Sequence, residues 1–380
     1  MNKSDNTNGS NSTTERIKVL FFIEQSIPSR FYEAYFQEFA EHGNFEFYIF
    51  NLQFSPEVEL HLKPYIKDFY SLKKNATYNR CLPVICKTIK KIAPDIIHAQ
   101  ETIPAFYGSI ANLLTGSKAK VLYHRHHSFY HNYKKRIMDH VAFLLCKKVI
   151  CVSEFSKAQA AKEHPILKYK LIRVYNGVKL TNDEALIDEM ECIEKIKLDS
   201  NYKILFLARL KPRKGHLLAI DVIKEIIITN PRISLFIAGD GELREQIGNY
   251  IKEKGVEDNV KLTGSLSSVK LLLSAVDMVI LPSESEAFSL TVLETLCAGK
   301  LLLASDLPSI REIITHEKNA ILIYPYNKKD WVNNICFYMN NKAEAEQIAL
   351  NGKALFENNF MMQTMAENMR SIYSNNATRG

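Results

Sequence analysis

Short apolar runs alternate with longer amphipathic segments along this chain. The run IKVLFFI at 17–23 is continuous and rich in β-branched and aromatic residues, which is typical of a strand buried on both faces of a parallel sheet. Similar runs begin at 45, 95, 120, 148 and 171 in the first half, and at 203, 233, 259, 277 and 300 in the second. Segments of helical periodicity separate them, such as 30–43, where Gly43 is a helix stop. The pattern predicts parallel sheets built from strand–helix–strand units.

The rhythm changes once, at the polar, acidic and helical stretch 181–200. The blocks on either side predict an α/β protein with two doubly wound, Rossmann-like domains that bind ligands at the carboxyl ends of their strands. The segment 342–374 is expected to be helical throughout. Residues 1–15 have no apolar core, which predicts a disordered tail rather than a secretory signal.

Composition narrows the class of protein. No run of about 18 apolar residues exists, so no membrane span is expected. Seven scattered cysteines without a CxxC pair indicate buried, reduced thiols in a cytosolic protein. Residues 1–180 hold 26 Lys and Arg against 15 Asp and Glu, which fits either an anionic partner or an ordinary solvated basic surface. No nucleic-acid-binding motif or zinc-finger spacing occurs, so nucleic acid is not expected as a partner.

The segment LPSESEAFSLTVLETLCAGK at 281–300 carries the main candidate chemistry. A strand is expected to end at Leu281, with Ser289 as the N-cap of a helix that stops at Gly299. The N-terminus of such a helix suits a diphosphate, and Glu286 and Glu294 can accept hydrogen bonds from hydroxyls. One helix face is expected to consist of Leu290, Leu293, Leu296 and Cys297. Taken alone, two glutamates eight residues apart are also typical of an ordinary surface.

Three further loops follow predicted strands. Arg209 and Lys214 crowd the turn after a strand expected to end at Leu210, where they can neutralise a diphosphate. Gly239 and Gly241 allow a sharp turn or a close approach to a ligand. A third loop presents three histidines at a strand end, which favours a hydrogen bond to a substrate over a zinc site. These histidines are His124, His126 and His127.

Together these loops resemble the family-four retaining glycosyltransferases of the GT-B fold, over roughly residues 16–375. Six segments match the family's ordered motifs. They are SESEAFSLTVLETLCAG with its acid pair, ASDLPSIREII, ARLKPRKG, AGDGELR, VSEFSK and VYNGV. The resemblance implies an acceptor domain at 16–180, a nucleotide-sugar domain at 181–358, and a helix at 359–380 that packs on the first domain. It also gives Glu312 the place of the family's later glutamate.

The resemblance implies a role for each matching residue. Arg209 and Lys214 would bind the donor diphosphate with backbone amides of 288–290, at Phe288, Ser289 and Leu290. Glu286 would contact the donor sugar, Glu294 the ribose, and Leu262–Gly264 the nucleobase, near Gly239 and Gly241. His126 would lie near the reacting carbon, although His124 and His127 leave the register open. No metal or cofactor is expected, and a leaving charge held by two cations and a helix dipole fits that expectation.

Some positions depart from the family. Ala287 and Ser289 stand where glycines are common, and alanine fits only if its φ is negative. The loop at 24–36 has no glycine, which leaves the acceptor side, including Ser26 and Arg30, undefined.

The sequence therefore predicts a transferase that moves a sugar from a UDP- or GDP-sugar to a glycan or lipid-linked acceptor in bacterial surface polysaccharide synthesis. A same-fold nucleotide-sugar epimerase and a degenerate glycan-binding or scaffold subunit remain alternatives. The basic first half and the segment 133–148 suit a cytoplasmic protein at an anionic membrane surface, although a stretch such as 133–148 is more often a helix packed in its domain.

Overall fold

The structure of this protein is a computed structural model that describes residues 16–40, 44–74, 81–127, 133–180 and 187–377, without the side chains of 187 and 188. The predicted tail at 1–15, the predicted stop at Gly43 and the first part of the acidic stretch, 181–186, lie outside the described residues.

The first half of the chain forms one sheet and its helices. In chain order its elements are β1 (Ile17–Ile23), α1 (Arg30–Ala40), β2 (Phe45–Asn51), α2 (Pro56–Leu62), β3 (Asp68–Ser71), α3 (Cys81–Ile92), β4 (Ile96–Gln100), α4 (Thr102–Thr115), β5 (Lys120–Arg125), α5 (Tyr133–Leu145), β6 (Lys148–Cys151), α6 (Glu154–Glu163) and β7 (Leu171–Arg173). Among the described residues the strand order is β3-β2-β1-β4-β5-β6-β7. The pairs β1–β2, β1–β4, β2–β3 and β6–β7 are parallel.

The second half repeats this architecture. Its elements are α7 (Ile187–Leu198), β8 (Tyr202–Leu207), α8 (His216–Ile226), β9 (Ile233–Ala238), α9 (Arg244–Lys254), β10 (Val260–Gly264), α10 (Val269–Ser274), β11 (Met278–Leu281), α11 (Leu290–Cys297), β12 (Leu301–Ser305), α12 (Pro308–Arg311), β13 (Ile321–Ile323), α13 (Lys328–Asn340), α14 (Lys342–Asn359) and α15 (Met362–Asn376). The strands are parallel, in the order β10-β9-β8-β11-β12-β13 among the described residues. Two parallel sheets with alternating helices confirm the predicted α/β class.

The residues divide by their contacts into two compact units. Unit 1 contains 1–123, 144–147 and 370–380, and unit 2 contains 124–143 and 148–369, so the boundary falls inside β5. The core of unit 2 is aliphatic, and every residue of β9, β11 and β12 is buried.

The core of unit 1 is rich in aromatic side chains and includes Tyr373 from α15. Tyr373 is fully buried against Phe39 and Phe47. Its hydroxyl lies 2.8 Å from that of Tyr35 and also hydrogen-bonds Nδ1 of His98. Because both partners are buried, this chain of polar groups requires Tyr373 to be in place.

Some element predictions are wrong in detail. The strands β3 and β13 lack long apolar runs and were not predicted from the sequence. The C-terminal segment is not one helix, because the chain breaks at Phe360 and Met361. There the N–H of Val178 donates to the carbonyl of Phe360, and the N–H of Met362 donates to Val178. These backbone groups pair with another segment and so cannot continue the helical ladder.

None of the helices in the described part of the chain has both the length and the hydropathy needed to cross a membrane.

Candidate functional site

Strand β8 is shorter than predicted, so the loop that follows it is longer. The strand ends at Leu207 rather than Leu210, and the chain then turns so that the N–H of Leu210 bonds the carbonyl of Asp240. Arg213 has a positive φ of 67°, which is rare for a residue with a side chain. The backbone that carries Lys214 is therefore held in a tight, defined turn.

This turn lies directly against the loop that follows β11. A Cβ built on Gly215 would lie 2.0 Å from the carbonyl oxygen of Pro282, so only glycine fits there. The N–H of Glu284 donates to the carbonyl of Arg213 at 2.8 Å. Two loops that are about seventy residues apart in sequence thus share one edge of the sheet.

Lys214 and Glu286 form the central polar contact of this edge. The ammonium of Lys214 donates to Oε1 of Glu286 at 2.7 Å, and the hydroxyl of Ser283 donates to the same oxygen at 2.8 Å. The side chain of Glu286 is 9% exposed and that of Lys214 27%. Both hydrogen bonds use Oε1, so the orientation of the carboxylate is fixed by protein groups at one oxygen.

Two serines brace the backbone around Glu286. The hydroxyl of Ser309 donates to the carbonyl of Glu286 at 2.7 Å, and that of Ser153 donates to the carbonyl of Ala287 at 2.9 Å. Ala287 is absent from the positive-φ residues, so its φ is negative, as the sequence required. The ring of Phe288 is buried and stacks on Tyr175, with centroids 5.6 Å apart.

Helix α11 starts where predicted, but its details differ. Ser289 occupies the N-cap position, yet its side chain makes no capping hydrogen bond, so the prediction of a side-chain cap is wrong. The buried face consists of Val292, Leu293, Thr295 and Leu296. Leu290 and Cys297 are only partly buried, because the helix is rotated relative to the predicted face. Glu294 is also partly buried on this helix.

Glycines bring the loop after β9 close to the loop after β8. A Cβ on Gly239 would lie 1.9 Å from the carbonyl oxygen of Ala208, and one on Gly241 would lie 2.5 Å from that of Leu210. The N–H of Gly239 also donates to the carbonyl of Gly264 at the end of β10. Both positions therefore require glycine, because the backbone of this loop lies too close to the backbone of the loop after β8 to leave room for a side chain. Leu262, within β10, is partly buried.

The remaining predicted residues lie after β8 and at the end of β5. Arg209, two residues after the end of β8, is exposed. His124 is buried, whereas His126 and His127 are partly exposed. The rings of His124 and His126 stack with centroids 4.3 Å apart.

The buried residue between those histidines was missed by sequence reasoning. The guanidinium of Arg125 is fully buried, hydrogen-bonds the carboxylate of Glu163 and lies 4.0 Å from that of Asp139. His164 in turn contacts Asp139 at 2.8 Å. Ligand-type atoms of Asp139, Glu163 and His164 lie within 4.8 Å of one another, and the guanidinium supplies positive charge to the two carboxylates. The one sequence feature that could have drawn attention to this cluster is the position of Arg125 between two histidines.

Glu312 acts on the backbone of a neighbouring helix. Its carboxylate accepts hydrogen bonds from the N–H groups of Glu154 at 2.5 Å and Phe155 at 3.0 Å, the first two residues of α6. A carboxylate at a helix N-terminus satisfies backbone donors and complements the helix dipole.

On unit 1, the loop after β1 is built by buried polar groups. The side chain of Asn51 both accepts from the N–H of Gln25 and donates to its carbonyl, at 3.0 and 2.8 Å. The hydroxyl of Ser55 donates to the carbonyl of Ser26, whose own side chain is exposed. Arg30 is partly buried at the start of α1.

Comparison with known proteins gives consistent results. The family model described as Glycosyl transferases group 1 matches residues 189–355, and that of Glycosyltransferase Family 4 matches 35–182. An uncharacterized glycosyltransferase of Methanocaldococcus jannaschii is 28% identical over 228 residues, which cover 60% of this chain and 59% of that protein. The matched part spans about three-fifths of the length of the first two curated relatives.

Two further proteins are informative. The UDP-Gal:alpha-D-GlcNAc-diphosphoundecaprenol alpha-1,3-galactosyltransferase of Escherichia coli is 24% identical over 300 residues, 76% of this chain and 77% of that protein. The structure of Anabaena HepE in complex with UDP-glucose matches with a TM-score of 0.82 and 19% identity, over 95% of this chain and 100% of that one. The chain therefore belongs to the family-four glycosyltransferases, and its two parallel α/β sheets are those of the GT-B fold.

Proposed function

We propose that this chain transfers a sugar from a nucleotide diphosphate sugar to a hydroxyl of a glycan or lipid-linked acceptor, in the synthesis of a cell-surface polysaccharide. The observation that carries the proposal is the Lys214–Glu286 pair, braced by serines beside the start of α11 at the carboxyl edge of a parallel sheet. Open α/β sheets bind their ligands at this edge.

The donor diphosphate is assigned to the positive end of this site. Lys214 and the exposed Arg209 supply two cations, and α11 begins with backbone N–H groups that lack a side-chain cap. A helix N-terminus together with Lys and Arg is a recurrent anion site. The amides of Phe288, Ser289 and Leu290 would hydrogen-bond the phosphate oxygens.

The two glutamates are assigned to hydroxyl groups. Oε1 of Glu286 already receives Lys214 and Ser283, which leaves Oε2 to accept a hydrogen bond from a hydroxyl of the donor sugar. Glu294 would accept from the ribose hydroxyls, with the nucleobase near Leu262 and the glycines at 239 and 241.

The reaction follows from these roles. The bond between the anomeric carbon and the phosphate oxygen breaks, and the acceptor oxygen bonds the same carbon. The acceptor proton passes to the departing phosphate oxygen on the same face, so the configuration is retained. Lys214, Arg209 and the helix dipole stabilise the leaving charge without a metal ion. His126 would donate a hydrogen bond near the reacting carbon.

A UDP-sugar is the favoured donor. The name of the E. coli relative contains UDP-Gal, and Anabaena HepE has been crystallised with UDP-glucose. The E. coli name also indicates a diphospholipid acceptor for that enzyme. A lipid-linked acceptor would require this chain to work at the inner surface of a membrane.

Helix α5 provides a surface of suitable chemistry for that location. Lys134, Lys135 and Arg136 are exposed beside Tyr133, which is 77% exposed, and Ile137, which is 49% exposed. Basic and apolar side chains on one helix bind anionic lipid surfaces. Flotation with vesicles of anionic lipid tests this point, and failure to bind at moderate salt removes the membrane location.

The catalytic proposal is tested with a panel of UDP- and GDP-sugars. Protection against thermal unfolding identifies the donor, and NMR of the product reports its anomeric configuration with and without a chelator. Conversion of the donor to an isomeric nucleotide sugar without an acceptor would instead support the epimerase. No protection by any nucleotide would support a glycan-binding or scaffold subunit. An inverted product would contradict retention.

A further inference from the structure

Glu101 stands at a distinctive position in the sheet formed by the first half of the chain. It directly follows β4, the neighbour of β1, on the side opposite β2. The connection after β1 leads to β2, whereas β4 continues to β5, so the strand order reverses between β1 and β4. In open α/β sheets this reversal opens a crevice at the carboxyl ends of the strands.

The backbone of Glu101 is strained. Its φ of 71° and ψ of 173° lie in a region occupied essentially only by glycine. The carbonyl of Glu101 accepts the first hydrogen bond of α4, from Ala105, but its side chain makes no capping bond to that helix. The start of α4 therefore accounts for the backbone conformation at position 101. It does not account for the presence of a glutamate at a position where a glycine would be unstrained.

The surroundings of Glu101 are polar and arranged toward the same edge. Burial raises the pKa of the Tyr32 phenol above its ordinary value, and the charge of Glu101 adds to this effect, whereas a hydrogen bond with the Gln25 side chain opposes it. The backbone of Gln25 is clamped by Asn51. A carboxylate and a protonated phenol thus stand beside a fixed loop.

We infer that Glu101 is an acceptor-binding residue whose carboxylate accepts a hydrogen bond from a sugar hydroxyl of the acceptor. The inference rests on the proposed glycosyl transfer. A negative charge favours a neutral, hydroxyl-rich group over a phosphate, so Glu101 recognises the sugar of the acceptor and not its diphosphate. Strain that persists at the edge of a site is typical of residues that function there.

The experiment compares Glu101→Gly and Glu101→Gln with the control Ala93→Gly. Ala93 also has a positive φ, of 48°, but it is exposed and precedes β4, at the amino edge of the same sheet. The readouts are thermal stability, UDP affinity, hydrolysis of the UDP-sugar and transfer to a panel of soluble alkyl glycosides of glucose, galactose and N-acetylglucosamine.

Glu101→Gly should raise the unfolding midpoint by about 2 °C or more, because glycine relieves the strain. Both Glu101 variants should keep UDP affinity and hydrolysis but lose about tenfold or more in kcat/KM for the acceptor. Ala93→Gly should transfer like the wild type. Wild-type acceptor kinetics in both Glu101 variants would overturn the inference. A wild-type protein that neither binds nor cleaves any nucleotide sugar would remove the proposed function itself, and the role of Glu101 with it.

Discussion

Replacement of Lys214 by methionine separates the two roles of its ammonium group. In the folded protein the ammonium donates to Glu286 at 2.7 Å, and that carboxylate is only 9% exposed. The variant leaves the carboxylate with Ser283 as its remaining donor among those described at Oε1. Hydrogen bonds to charged groups contribute about 1.5–3 kcal/mol. Because Lys214 is about a quarter exposed, we expect a loss of about 2 kcal/mol in the free energy of unfolding.

The effect of Lys214→Met on UDP affinity has a different size and a different physical origin from its effect on stability. A unit charge 4 Å from a phosphate charge contributes about 4 kcal/mol at an effective dielectric constant near 20. Glu286 cancels part of this field, so we expect the variant to lose about 2–3 kcal/mol in UDP affinity, roughly 30- to 150-fold in Kd.

Isothermal titration with UDP and urea unfolding measure the two losses separately. The matched control is Lys203→Met, since Lys203 also lies in an ion pair, 3.7 Å from Asp277, but at the amino end of β8. The control should lose stability and keep UDP affinity. Unchanged UDP affinity in Lys214→Met, or an equal loss in the control, would refute the assignment of Lys214 to the diphosphate.

Three further changes test other parts of unit 2. Burial lowers the pKa of His216 to about 4, so the unfolded chain takes up a proton below pH 6.5 that the folded chain does not. Stability should fall by up to about 3 kcal/mol from pH 6.5 to 4, and His216→Phe should flatten that fall in urea titrations. Glu312→Ala should cost about 1–2 kcal/mol and speed hydrogen exchange at the start of α6, an effect that slow exchange there would contradict. Gly239→Ala should destabilise by about 1–3 kcal/mol or more and weaken UDP binding, because its Cβ would meet the Ala208 carbonyl, whereas Gly255→Ala, in open space, should leave UDP affinity unchanged.

The sheets were predictable because burial on both faces leaves a clear signature. Runs such as 17–23 and 233–238 are continuous and apolar, and they form strands at those positions. The strand at Asp68–Ser71 is partly exposed and short, so hydrogen bonds to β2, rather than its own composition, determine it. The break at Phe360 likewise depends on Val178, which is distant in sequence, and local helical periodicity cannot reveal such a partner.

The candidate site shows the same division. The order of acids, glycines and cations along the chain indicated the family, and the structure places Lys214 and Glu286 in contact. The sequence could not show that Ser153 and Ser309 brace the backbone beside Glu286, because serines are common and their partners lie in other segments. The roles of Lys214 and Glu286 in catalysis stay predictions.

The position of Tyr373 has a consequence for how the protein is made. Most of unit 1 comes from 1–123, yet its core includes Tyr373, which leaves the ribosome about 250 residues after Tyr123. At roughly 5–20 residues per second, that delay is on the order of ten to fifty seconds. During this interval Phe39 and Phe47 lack their contacts with Tyr373, while unit 2 is still being synthesised. A chain that stops before Tyr373 would therefore lack a buried residue of unit 1, although most of that unit precedes unit 2 in the sequence.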